Sequence, residues 1–157
     1  MKIKDSIFHL FLAALLLLPL VAGQCLAKNP GFGVGIILGE PTGISIKSWQ
    51  SGKTAIDAAI AWSLGNESSF HFHADYLVHN FSAFQVEKNK IPIYYGIGGR
   101  IKFEDDSKLG IRFPLGTTFF FTDIPLDFFM EIVPILNLTP ATEFDLNAAL
   151  GMHFYFH

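Results

Sequence analysis

The sequence predicts an all-β protein: an antiparallel up-and-down transmembrane β-barrel of about eight strands with short turns, preceded by a cleaved signal peptide. Three observations carry this. The chain is half hydrophobic and only 16% charged, against the roughly one quarter charged that is usual for soluble domains. Its mean hydropathy is positive, yet its one long unbroken apolar run lies at the N-terminus. Beyond that run a two-residue period returns segment after segment, and each time the charges fall on the same parity.

The N-terminal run has the parts of a secretory leader. Lys2 and Lys4 precede an apolar stretch over residues 7–20, and small residues follow at Val21, Ala22 and Gly23 and again at Cys25 and Ala27. A secretory peptidase selects small residues at −3 and −1, so cleavage is expected after Ala27 first and after Gly23 second. The run is shorter than the ~20 residues of a spanning helix. Residues 1–27 are thus read as the signal peptide and 28–157 as the barrel. Gln24 stands where a lipobox needs Gly or Ala before Cys25, which argues against lipidation. Cleavage after Ala27 leaves no cysteine and excludes disulfide and thiol chemistry. Loss of Lys2, Lys4 and Asp5 takes 11 basic and 14 acidic residues to 9 and 13, a net charge of −4. That balance points to no nucleic-acid partner.

The strands follow in order. Phe32, Val34, Ile36 and Leu38 alternate with Gly31, Gly33 and Gly35; after a turn at Glu40, Pro41, Thr42 and Gly43, Ile44 and Ile46 alternate with Ser45 and Lys47. Over 54–64, Ile56, Ala58, Ile60, Trp62 and Leu64 oppose Ala55, Asp57, Ala59, Ala61 and Ser63. Over 69–81, Phe70, Phe72, Tyr76 and Val78 oppose His71, His73, Asp75 and His79. Over 91–104, Ile93, Tyr95, Ile97, Ile101 and Phe103 oppose Gly96, Gly98, Arg100, Lys102 and Glu104. Over 108–121, Leu109, Ile111, Phe113, Leu115 and Phe119 oppose Gly110, Arg112, Gly116 and Thr118. Over 126–138, Leu126, Phe128, Met130, Ile132 and Leu136 oppose Asp127, Glu131 and Asn137. Over 142–156, Phe144, Leu146, Leu150, Met152, Phe154 and Phe156 oppose Glu143, Asp145, Asn147, Gly151 and His153. Turn residues separate these runs at Ser51 and Gly52, at 65–67, at 104–107, at 123–125 and at Thr139 and Pro140; 82–90 is the longest connection.

Soluble and membrane barrels both alternate, and differ in which face is inside. Here the charged parity is too sparse for a solvated surface, since it also holds Gly, Ala and Thr with Ile37, Phe120, Phe129, Val133 and Ile135. The other parity is almost uncharged, and lipid is its natural solvent. In hydrocarbon every backbone N–H and C=O must be paired, which demands a closed ring, and the longer runs reach the ~9–11 residues of a tilted spanning strand. Two features pull the other way. Pro134 falls inside a strand and implies a bulge or break, and with both termini in the periplasm the longest connection is periplasmic, whereas long loops are usually external. The chain ends with a glycine and alternating aromatics, Gly151, Phe154 and Phe156, like the signal that the outer-membrane assembly machinery reads; His157 after the last Phe departs from it.

Gly39-Glu40-Pro41-Thr42-Gly43, His73-Ala74-Asp75-Tyr76, Tyr94-Tyr95-Gly96-Ile97-Gly98-Gly99-Arg100 and Phe144-Asp145-Leu146-Asn147 together resemble a family of small bacterial outer-membrane barrels of unknown function, over nearly the whole mature chain. Its architecture is similar to that of OmpX and the OmpA transmembrane domain. The resemblance implies an eight-stranded barrel whose lumen is plugged by charged side chains, and implies no catalytic residues.

The inward parity supplies the candidate site. Asp57, Asp75, Arg100, Lys102, Arg112, Asp127, Glu131 and Asp145 are expected to meet as a lumen ion-pair network, because unpaired buried charge is costly; a selectivity lining for a narrow pore is the alternative. The lumen histidines are His71, His73, His79 and His153. Imidazole and carboxylate are a zinc ligand set, but residues four apart on a strand are ~13 Å apart, so His71 and Asp75 cannot share one metal, and no metal or cofactor is expected. One eight-stranded barrel enzyme, the outer-membrane palmitoyltransferase, uses His, Asp and Ser at its outer rim; no local motif here groups those types, and no catalysis is assigned. Trp49, Trp62, Tyr76, Tyr94 and Tyr95 are candidates for interfacial girdles. Gly31 to Gly35 is no phosphate loop, since no helix follows. The expected partners are the bilayer, the assembly machinery and an external ligand at the loops, for a monomer in the bacterial outer membrane with a structural or surface-interaction role. A soluble periplasmic ligand-binding barrel is the other alternative.

Overall fold

A computed structural model describes residues 31–63, 69–84, 91–103 and 106–156. The leader, the turn at 65–67, most of the 82–90 connection, Glu104, Asp105 and His157 lie outside the described residues. The strands are β1 (Phe32–Gly39), β2 (Thr42–Trp49), β3 (Thr54–Ser63), β4 (Ser69–Asn80), β5 (Ile93–Phe103), β6 (Lys108–Arg112), β7 (Leu115–Phe120), β8 (Leu126–Thr139) and β9 (Glu143–Phe156). Each pairs antiparallel with its chain neighbour, β9 returns to β1, and β6 and β7 are two halves of one wall strand between β5 and β8. The ring therefore closes through eight wall strands.

Ring closure requires the strands to tilt by a fixed stagger. Stepping across cross-strand partners from Asp127 leads to His153, Gly35, Ser45, Ala59, His73, Arg100, Gly110 and back to β8 at Asn137, ten residues above the start. Every residue on this path points inward, so one spiral row carries much of the lumen's chemistry. The row crosses a bulge between Leu109 and Gly110.

Pro134 does not break its own strand. β8 runs on through it, paired to Leu146 of β9. The interruption lies opposite, at Phe113 and Pro114, where Phe113 N–H donates to the Pro134 carbonyl at 2.9 Å and Gly96 N–H donates to the Pro114 carbonyl at 2.9 Å. Within a strand a residue's N–H and C=O point the same way, so each proline lacks the donor of the rung it accepts in. The expected break thus falls between β6 and β7. β1 and β2 are also longer than alternation alone marks, because Thr42 to Trp49 all find partners on β3.

Burial confirms which parity is inside. Tyr95, Ile97, Leu115 and Ile132 are more than half exposed, and Phe144 is 69% exposed, whereas Lys47, Arg112, His79, His153 and Asp127 are no more than 1% exposed. Ile37, Ala59, Leu77, Tyr94 and Phe129 form the small apolar cluster inside the ring. Two of the proposed girdle aromatics are corrected here: Trp49 and Tyr94 point into the lumen, with Tyr94 1% exposed. Both hold positions in register with inward neighbours, Ala55 for Trp49 and His79 for Tyr94. Trp62, Tyr76 and Tyr95 do face outward.

Candidate functional site: the barrel lumen

The lumen's centre is built from one register row. Lys47, Asp57, Asp75, Gly98 and Arg112 are successive cross-strand partners on β2, β3, β4, β5 and β6. Two carboxylates therefore stand side by side, flanked by a cation at each end. Arg112 Nε donates to both Asp75 oxygens at 3.0 Å, and its Nη2 lies 3.6 Å from Glu131 Oε1. Tyr94 Oη donates to Glu131 Oε2 at 2.8 Å. Gly98 is required here: the Asp75 carboxylate occupies the space a Cβ on residue 98 would need. Lys47 Nζ donates to His79 Nε2 at 3.3 Å and sits 5.2 Å and 5.4 Å from the ring centres of Trp49 and Tyr94, a cation held over two π faces.

A second cluster joins β2, β8 and β9. Ser45 Oγ and His153 Nε2 are 2.8 Å apart, and His153 Nδ1 and Asp127 Oδ1 are 3.0 Å apart. Asp127 also accepts from the His153 backbone N–H at 3.2 Å and from Tyr155 Oη at 2.6 Å, while Asp57 Oδ2 lies 3.5 Å from His153 Nε2. The order hydroxyl, imidazole, carboxylate is that of a hydrolase triad. Its access is not. Ser45 and Asp127 are both fully buried, and the Phe129 ring stacks on His153 at 4.9 Å. Buried in this way, Ser45 Oγ serves the cluster as a hydrogen-bonding partner of the His153 ring.

The end of the lumen where β1 begins and β9 ends is stoppered by aromatic rings. Trp49 lies 4.5 Å from His79, 5.9 Å from Phe120 and 6.4 Å from Phe81, ring centre to ring centre, and its Nε1–H donates to Tyr155 Oη at 3.3 Å. The opposite end is polar, and its carboxylates Asp145 and Glu143 are partly exposed. Arg100 forms an ion pair with Asp145 and donates to Asn137 Oδ1 at 2.9 Å, and Asn137 Nδ2 donates to Asp145 Oδ2 at 2.9 Å. Lys108 pairs with Glu143 at 3.1 Å.

The eight charged candidates thus fall into tiers. Asp75, Arg112 and Glu131 meet in the centre, Arg100 and Asp145 meet nearer the polar end, and Asp57 and Asp127 meet at His153. Lys102 stands at the polar end as the cross-strand partner of His71 and Lys108. The histidines are scattered: His71 binds Ser69 Oγ at 3.0 Å, His73 neighbours Arg100 across the ladder, and His79 belongs to the aromatic stopper. Among the described residues no three His, Cys, Asp or Glu side chains are grouped to hold a metal ion. Gly151 lies inward beneath the Phe129 ring, and Phe154 and Phe156 point outward, each 47% exposed. Sequence reasoning left Ser45, Lys47, Asn137 and Tyr155 out of the site. All four share the inward parity of their strands, and that signal alone would have found them.

No family model matches the chain, and no curated protein matches it in sequence. Among solved structures it is similar to the crystal structure of the N-terminal β-barrel domain of Pseudomonas aeruginosa OprF, with a TM-score of 0.61 over 82% of this chain and 98% of that one, at 12% identity. At that identity the likeness is one of fold: the chain shares the β-barrel architecture of that domain, here an antiparallel ring of eight wall strands with apolar side chains outside and charged side chains within.

Proposed function

We propose that the protein is a small structural barrel of the bacterial outer membrane, with a surface-interaction role exercised by its loops and with no catalytic activity. The observation that carries this is the inversion of the two faces. Large apolar side chains ring the outside while Arg112, Lys47, Asp75 and Asp127 are buried inside; a water-soluble protein rarely exposes contiguous apolar patches beyond a few hundred Å². Residues 1–27 would take the chain through the inner membrane, and Gly151, Phe154 and Phe156 would present it to the assembly machinery. The eight charged residues then serve as the lumen's ion-pair filling. In an eight-stranded ring the interior is just wide enough for side chains, and the aromatic stopper favours a plug over a pore.

Gel mobility of the membrane fraction tests the reading. A folded barrel migrates differently before and after boiling, and the protein should need detergent to leave the membrane. A chain that shows no shift and dissolves in buffer would be a soluble periplasmic barrel. Stable unitary conductance from the purified protein in a planar bilayer would replace the plug with a pore.

A further inference from the structure

Two neighbouring interfaces of the ring lack rungs at the same height. On the β5 side the ladder stops between the pairs Gly98↔Arg112 and Tyr95↔Leu115, and on the β8 side between Arg112↔Ile135 and Leu115↔Ile132. One backbone hydrogen bond crosses each gap: Gly96 N–H to the Pro114 carbonyl and Phe113 N–H to the Pro134 carbonyl, both at 2.9 Å. A hydrogen-bonded antiparallel pair normally exchanges two such bonds. Pro114 and Pro134 have no N–H to return, so the carbonyls of Gly96 and Phe113 are left without their rung donors. Side chains bridge what the backbone leaves open. Arg112, directly before Phe113, holds Asp75 of β4 on one side and Glu131 of β8 on the other. Tyr94 of β5 donates to Glu131 at 2.8 Å, across the middle strand. These four residues tie β4, β5, β6 and β8 together where the rungs are missing.

We propose that this network is a latch on a lateral seam: the wall at Gly96, Pro114 and Pro134 parts before the wall on the β2 and β3 side, and the Arg112 ion pairs keep it shut. The inference rests on the membrane reading above, and it gives the central charges a task besides filling space. In hydrocarbon an unmatched backbone carbonyl is costly, so the closed wall carries two such costs side by side, and water admitted to the gap relieves both. Local openings of a folded protein draw on its least bonded segments. Here the segment with the missing rungs is the one that the ion pairs span. Gly96 adds no side chain to the seam, and Val133, 1% exposed, backs it from the lumen. Opening would join the lumen's centre to the lipid side of the wall rather than to either end.

The test is amide hydrogen exchange of the folded barrel in phospholipid nanodiscs, read residue by residue by NMR. The amides of Gly96, Phe113 and Leu115 should exchange about tenfold faster than those of Lys47 and Asp57, which share the register row of Arg112 on the far wall. Pro114→Ala combined with Pro134→Ala supplies the two missing donors and should bring the seam down to the rate of that row. Arg112→Ala should raise the seam rates by about another tenfold relative to the row, and the two alanines should cancel most of that gain, as coupled sites do. Arg112→Lys, which keeps the charge but loses the fork, replaces Arg112→Ala if that variant does not fold. Equal exchange at seam and row, or seam rates that the alanine pair leaves unchanged, would overturn the seam. Seam and row accelerating together in the Arg112 variant would mean water descending the lumen, and would overturn the latch. A chain that dissolves in buffer and shows no heat-modifiable shift would overturn the membrane reading instead, so the two failures are distinct.

Discussion

Two arginines occupy the same lumen under different conditions. Arg112 and its partners Asp75 and Glu131 have side chains 2%, 4% and 10% exposed; Arg100 is 3% exposed, but its partner Asp145 is 38% exposed. The chemistry of the two pairs is alike, so the contrast isolates access to water. In the centre, a charge that loses its partner has no solvent to turn to. Toward the polar end, a stranded carboxylate can hydrate. The largest effect is therefore expected from Arg112→Ala, which leaves Asp75 and Glu131 buried without their cation. The loss should be ~3–5 kcal/mol, the usual range for breaking a buried pair from one side. Urea titration of the folded barrel, read by the gel shift, measures it. A loss below about 1 kcal/mol would mean that water reaches the centre and that the lumen is not filled.

Asp127→Ala comes next. It removes the acceptor for the His153 ring, the His153 backbone and Tyr155, and each stranded buried donor costs ~1–3 kcal/mol. About 3 kcal/mol or more is expected, because the Trp49 indole N–H donates to Tyr155 Oη and so cannot replace the acceptor that the Tyr155 hydroxyl loses. Ser45→Ala in the same cluster should cost no more than about 1 kcal/mol, a single neutral hydrogen bond; a much larger loss would make the hydroxyl more than a spacer in the relay. Arg100→Ala should fall between these two at ~1–2 kcal/mol, since Asn137 still donates to Asp145 and water does the rest. Arg100 costing as much as Arg112 would erase the contrast between the two tiers.

The sequence made the wall legible and the lumen only partly so. Parity is a backbone property with a period of two, so the strands, the ring and the inward charges could all be read from alternation. What alternation cannot give is height. Arg112 and Arg100 sit on the same face of neighbouring strands, and only the ten-residue stagger sets one against Asp75 and the other against Asp145. Tyr94 and Trp49 failed for a related reason: an aromatic near a strand end suits a lipid interface or a lumen plug equally well, and register decides between them. Pro134 suggests a defect in its own strand because its missing N–H has a direction that alternation does not show. The serine of the relay carried no signal beyond parity, since its imidazole and carboxylate lie 108 and 82 positions away along the chain.

The smallest effect belongs to the outermost pair. Lys108 and Glu143 are 3.1 Å apart with side chains 24% and 53% exposed, so solvent screens their attraction and side-chain entropy opposes it. Lys108→Ala should cost less than about 1 kcal/mol. The variant has a second use, because the loss should fade as salt rises and the Debye length falls to ~3 Å at 1 M. The Arg112→Ala loss should persist over the same range, since counterions cannot enter a filled centre. Parallel salt titrations of the two variants therefore compare the two ends of the burial scale directly. If both losses faded together, ions would be reaching Asp75, and the lumen would have to be open along its length.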